Sequence, residues 1–134
     1  MLDIRDKDMR VMVDMSVKLL HHGHIRLLKK AHAIGHVVVG LTSDEDLQTT
    51  KDIETELDFS QRKELLEAIR FVDEVVETPW LITEEILDKY NINFLVHGDD
   101  NQNPLPPDKL ILFPRTEGIS STGIREDSFK NKKA

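Results

Sequence analysis

The chain has 134 residues, enough for one domain with one sizeable core, and 25 acidic residues against 18 Lys and Arg leave a net charge of −7. Such an acidic balance argues against nonspecific nucleic-acid binding, which needs cations to neutralise phosphates. With no cysteine the chain offers neither a disulfide framework nor a thiolate metal site. No run approaches the ~20 apolar residues of a membrane span, and the mixed-charge start from Met1 to Arg10 does not read as a secretion signal. The expectation is a cytoplasmic protein without nucleic-acid or membrane partners. It reads as a single domain over 1–134 with flexible ends at 1–9 and 128–134.

Arg10 to Ser16, apolar and bounded by charge, predicts a buried strand. Gly23 to Ile34 carries a helical stripe of Leu27, Leu28, Ala31 and Ile34, and Gly35 stands where a helix would stop. His36 to Thr42 predicts a second buried strand, rich in valine. Ser43 with Asp44, Glu45 and Asp46 reads as the acidic first turn of a short helix, a cap and nothing more. Thr49 to Leu57 shows no period and is expected to be a loop.

Asp58 and Gln61 form a capping-box pattern, after which Leu65, Leu66, Ile69 and Val72 keep helical spacing. Asp73 to Glu77 predicts a strand, Thr83 to Tyr90 a helix, Ile92 to His97 a strand, and Lys109 to Phe113 a last short strand. A terminal helix is expected from Ser120. Trp80 and Tyr90 are assigned to the core or an interface. Strands alternating with helices through short connections imply an α/β fold: a Rossmann-like parallel sheet of about five strands with helices on both faces. Ligands in such sheets bind beyond the carboxyl ends of the strands, here after Ser16, Thr42, Val96 and Phe113.

Two of these places carry residues suited to anions. His21-His22-Gly23-His24 stands at the start of the first helix, where free N–H groups and the macrodipole favour negative charge. Gly23 admits close backbone approach, and His21 and His24, three apart, share a face. Paired histidines also suit zinc, but no third ligand stands at a sensible spacing, so metal ranks below phosphate. Arg115-Thr116-Glu117-Gly118-Ile119-Ser120-Ser121-Thr122 follows the last strand and joins a guanidinium, a glycine turn and three hydroxyls. Alone it suits an ordinary serine-capped surface turn better than an anion site. Two anion sites across one crevice suit a polyphosphate.

These motifs together resemble the bacterial cytidylyltransferases of the glycerol-3-phosphate cytidylyltransferase type, within the HxGH nucleotidyltransferases. The resemblance runs from about Arg10 to Arg125. It rests on His-His-Gly-His-Ile-Arg-Leu-Leu (21–28), Thr-Ser-Asp-Glu (42–45), Arg62 with Ile-Arg-Phe-Val-Asp-Glu-Val (69–75), His-Gly-Asp-Asp (97–100) and Arg-Thr-Glu-Gly-Ile-Ser-Ser-Thr-Gly-Ile-Arg (115–125).

The resemblance implies direct displacement at the α-phosphorus of CTP by an acceptor phosphate or phosphonate, with release of pyrophosphate and magnesium carried on the triphosphate. It assigns His21, His24, Lys51 and Arg115 to catalysis. It places Met15, Ser16, Gly23, Gly98, Asp99, Thr116, Ile119, Ser120 and Ser121 around the nucleotide, and Lys18, Arg62 and Arg70 at the acceptor. It also implies a homodimer near Ile69 to Val75, where Phe71 looks too apolar to be left exposed. The family writes Gly-Thr-Phe-Asp where this chain has Met15-Ser16-Val17-Lys18. A lysine in place of the acid implies an acceptor that is neutral or anionic beyond its phosphate. An adenylyltransferase of the same superfamily and a noncatalytic nucleotide-binding module are the competing readings.

Overall fold

A computed structural model describes residues 6–17, 20–51 and 57–114. Five strands form one sheet: β1 (Asp6–Met15), β2 (Gly35–Thr42), β3 (Glu74–Thr78), β4 (Phe94–Gly98) and β5 (Leu110–Phe113). The helices are α1 (His22–Ile34), α2 (Asp44–Lys51), α3 (Phe59–Glu67) and α4 (Glu84–Lys89), with a 3₁₀ turn over Pro107–Lys109. Every pairing is parallel, in the order β3-β2-β1-β4-β5. The order reverses direction between β1 and β4, and a crevice opens at such a switch point.

Side chains alternate across the sheet. Val11, Val13 and Met15 of β1 pack with Leu28 and Ala31 of α1 and Leu66 of α3 in one cluster. Met12 of β1 and Leu95 of β4 pack with Ile82 and with Leu87 of α4 in another. Val11, Val13, Val37, Val38 and Val39 are completely buried, so β1 and β2 are covered on both faces, as their unbroken apolar runs predict.

Several elements depart from the sequence reading. β1 begins at Asp6, inside the end expected to be flexible, because Asp6 pairs with Gly35. Gly35 does not end α1 through a left-handed turn: its φ of −177° is extended, and it is also the first residue of β2. Thr49 to Lys51, expected in a loop, complete α2.

α3 starts as its capping box predicts, with Asp58 accepting from the Gln61 N–H and Gln61 accepting from the Asp58 N–H. It stops at Glu67, so Ile69, Arg70 and Val72 lie in the turns that follow. Those turns are tied by Ile69 N–H to Leu66 O and Val72 N–H to Ile69 O. Ile69 and Val72 still pack on the core, which is what preserved their apolar spacing.

The acids at 44–46 are more than a cap. Asp46 accepts from the Trp80 N–H at 2.8 Å and Asp44 from the Phe59 N–H at 3.0 Å. Phe71 finds its partners within the chain, edge-on to His32 and beneath the Arg70 guanidinium. The expected helix from Ser120 lies outside the described residues.

Candidate active site

The carboxyl ends of β1, β2, β4 and β5 meet at a crevice of about 440 Å³. Met15 and Ser16, Thr42, His97 and Gly98, and Phe113 and Pro114 all line it, so the four segments named from topology do converge. The N-terminus of α1 forms one wall through His21, Gly23 and His24.

The two histidines hold each other in place. His21 is the N-cap, and its Nδ1 accepts from the Gly23 N–H at 3.1 Å, while Nδ1 of His24 accepts from the His21 N–H at 3.1 Å. This is a capping box built from imidazoles, satisfying donors that a helix start leaves free. The rings lie 4.0 Å apart between centroids. A nitrogen that accepts carries no proton, so the neutral tautomer of each ring is fixed as Nε2–H.

Desolvation, then the neighbouring His21, push the His24 pKa down to about 4, and desolvation followed by His22 lowers that of His21. Both are therefore neutral hydrogen-bond donors at pH 7. Arg26 and Lys30, one turn apart on α1, carry positive charge along the same wall, and Lys30 Nζ lies 4.9 Å from the centre of the Phe113 ring.

Beneath the crevice lies Arg62, with no exposed surface. Its Nη1 donates to Ser16 O at 2.8 Å and Thr42 O at 2.9 Å, and its Nη2 meets Asp44 Oδ1 at 2.6 Å. One guanidinium thus ties the ends of β1 and β2 to the starts of α2 and α3. Burial works to raise the Asp44 carboxyl, but the Phe59 N–H and the Arg62 guanidinium outweigh it and hold it below the usual range. Arg62 is not part of the crevice wall, and its geometry is that of a brace rather than a ligand contact. The residue after Ser16, Val17, has φ of 58°, a left-handed conformation that strains a β-branched side chain by about 1–3 kcal/mol. Its side chain is buried in the core, and Arg62 pins the carbonyl just before it.

Arg70 is exposed, sits in a turn beside Phe71 and does not line the crevice. Asp99 is likewise outside the lining, whereas its neighbour Asp100 is within it. Lys51 ends α2. Lys18 and the group Arg115, Thr116, Ile119, Ser120 and Ser121 lie outside the described residues.

Trp80, assigned from sequence to core or interface, stands in the crevice wall with Asp14 and Asn103. Asp14 had a signal available: it is the one acid in the otherwise apolar run from Val11 to Met15. Among the described residues no group of three or more His, Asp or Glu side chains converges to hold a metal.

A parallel sheet with a helix N-terminus at its switch point is an architecture suited to binding nucleotides and other anions there. A profile of the cytidylyltransferase-like family matches residues 18–110, more than half of the chain, and the chain belongs to that family. It is 34% identical over 125 residues to the glycerol-3-phosphate cytidylyltransferase of Staphylococcus aureus (strain NCTC 8325 / PS 47), covering 90% of this chain and 95% of that one. To the enzyme of the same name from Bacillus subtilis (strain 168) it is 37% identical over 114 residues, covering 81% and 88%. It is also 34% identical to the ethanolamine-phosphate cytidylyltransferase of Arabidopsis thaliana, covering 88% of this chain and 32% of that longer one. In fold it is similar to the lipopolysaccharide core biosynthesis protein from Thermoplasma volcanium GSS1, with a TM-score of 0.68, 18% identity and coverage of 81% and 98%.

Proposed function

We propose that this protein transfers CMP from CTP to a small polyol phosphate and releases pyrophosphate. The observation that carries the reading is the histidine capping box, which commits both Nδ1 atoms to backbone N–H groups and leaves two Nε2–H donors for phosphate oxygens. Relatives named for glycerol 3-phosphate, matched over most of both chains, support the acceptor class.

An oxygen of the acceptor phosphate attacks the α-phosphorus. A new P–O bond forms there, and the bond from the α-phosphorus to the α–β bridging oxygen breaks, so its electron pair leaves with pyrophosphate. The attacking phosphate is already an anion, so no general base is needed. The chain's work is alignment and charge stabilisation. His21 and His24 donate to the phosphoryl oxygens as charge grows on them, and Gly23 lets the triphosphate approach the backbone at the start of α1. Arg115, Thr116, Ser120 and Ser121 would grip the outer phosphates, and Lys51 would join them.

Magnesium takes oxygen ligands, keeps several waters and is commonly held by substrate phosphates. Asp100 is a crevice carboxylate of suitable chemistry to hold it. When bound, the ion would neutralise charge on the leaving pyrophosphate. A homodimer belongs to the same reading, supported by Leu65 of α3, 48% exposed near the Ile69 to Val75 segment. Light scattering at micromolar concentration giving twice the chain mass is the expected result.

The decisive experiment reads pyrophosphate release from CTP, ATP, GTP and UTP, each with glycerol phosphate. CTP-dependent release at least tenfold faster than with the others is expected. Tighter ATP than CTP binding, with ATP-dependent turnover, would move the protein to the adenylyl class.

A further inference from the structure

The crevice has a second polar wall that the transfer chemistry does not use. Alternation along the strands puts Asp14 on the face of Met12, and His97 on the face of Leu95. Both therefore lie on the opposite side of the sheet from the α1 cluster. Asn103 fixes Asp14: its Oδ1 accepts from the Ile82 N–H at 2.7 Å, which sets the amide orientation, and its Nδ2 donates to Asp14 Oδ2 at 3.3 Å.

The other oxygen, Oδ1, is buried with no hydrogen-bond partner. Its neighbour is His97 Nε2 at 3.5 Å. His97 Nδ1 lies 3.1 Å from Gly98 O, and a carbonyl only accepts, so the ring proton belongs on Nδ1. With Asp14 ionised, Nε2 and Asp14 Oδ1 are in that tautomer two acceptors facing one another at the crevice edge; desolvation, only partly offset by His97 and Asn103, raises the Asp14 pKa.

We propose that Asp14 and His97 read the acceptor, by sharing a hydroxyl of its non-phosphate end. This rests on the transfer reading above. The triphosphate belongs to the α1 wall, where His21, His24, Arg26 and Lys30 gather donors and positive charge. A buried carboxylate repels phosphate, so what faces Asp14 is the part of a ligand that carries donors instead. A hydroxyl supplies the missing hydrogen. A quaternary ammonium has none and would leave Oδ1 unsatisfied, which is costly for a buried acceptor.

The test compares kcat/KM at saturating CTP for glycerol phosphate, propyl phosphate, phosphoethanolamine and phosphocholine, in the unmodified protein, Asp14→Asn and His97→Gln. Removing the hydroxyls is expected to cost the unmodified protein at least ~30-fold, since a site built to bond a hydroxyl rejects its deoxy analogue strongly. In either variant that ratio should shrink to within ~3-fold while the KM for CTP stays put, a split that a merely structural role would not produce. A preference for phosphoethanolamine or phosphocholine in the unmodified protein would overturn the hydroxyl assignment. So would variants that keep the full glycerol-to-propyl ratio, or whose defect lies in the KM for CTP or in the magnesium requirement. If the unmodified protein released no pyrophosphate with any of the four phosphates, the transfer reading itself would fall. Turnover with an unchanged ratio sinks the Asp14–His97 role alone.

Discussion

On the α1 side of the crevice the imidazoles of His21 and His24 receive hydrogen bonds at Nδ1, whereas on the far side His97 gives one from Nδ1 to the Gly98 carbonyl. The backbone causes the difference. A helix start presents free N–H groups and so turns a nearby ring into an acceptor at its inner nitrogen and a donor at its outer one. A strand end beside a turn presents a carbonyl and does the reverse. The same side chain thus presents an outer donor in one place and half of an acceptor pair in the other.

The strongest way to break that comparison is to separate capping from donation at His21. Alanine at His21 or His24 is expected to lower turnover by about 10²–10³, the usual cost of losing one preorganised oxyanion donor. His21→Asn keeps a good N-cap residue but places no Nε2–H, so its melting temperature should stay near that of the unmodified protein while turnover falls as with alanine. Retained pyrophosphate release in His21→Asn would mean that the ring only caps.

Next in size is Arg62, which ties the Ser16 and Thr42 carbonyls at the crevice. Arg62→Ala strips the donor from the Ser16 and Thr42 carbonyls, and unsatisfied buried acceptors cost about 1–3 kcal/mol each. Urea unfolding should show a loss of about 2–4 kcal/mol. An unchanged midpoint would show that the brace carries nothing.

Acid sharpens the comparison further. The His24 pKa lies near 4 in the fold against 6.5 for an unperturbed histidine, so between those values the unfolded chain binds the extra proton. Stability must then fall as pH drops from about 6.5 towards 4, because protonating Nδ1 removes the bond from the His21 N–H. The melting temperature of the unmodified protein should drop more steeply between pH 7 and pH 5 than that of His24→Gln. Parallel pH profiles for the two would refute this. The smallest expected effect is at His22, exposed and outside the crevice lining. His22→Ala should change turnover less than ~2-fold, as surface substitutions usually do.

How much of this was legible before the coordinates depended on the range of the interaction. The capping box of Asp58 and Gln61, the buried runs of β1 and β2 and the histidine-bearing start of α1 are local patterns, and each appears where its spacing predicts. Arg62 reads as one arginine on a short helix. Its partners stand 46 and 20 residues away at two carbonyls, and nothing local marks them. Asp46 is bonded to the Trp80 N–H across 34 residues, so a run that looked like a plain cap proves to hold a crevice-wall residue in place. Asn103 sits in a polar stretch with the composition of any loop, and only the fold brings its amide between Ile82 and Asp14.

The bonds of Asp44 have a bearing on how this scaffold can vary. Its two oxygens hold the Phe59 N–H and the Arg62 guanidinium, so the start of α2 is stapled directly to the start of α3. The stretch from Asp44 to Phe59 is therefore closed by bonds at its two ends. Lengthening a closed loop costs little, about 0.6 kcal/mol for each doubling. This stretch is therefore where insertions can accumulate, or a tag or sensor segment be grafted, while β1, β2 and the floor of the crevice keep their alignment.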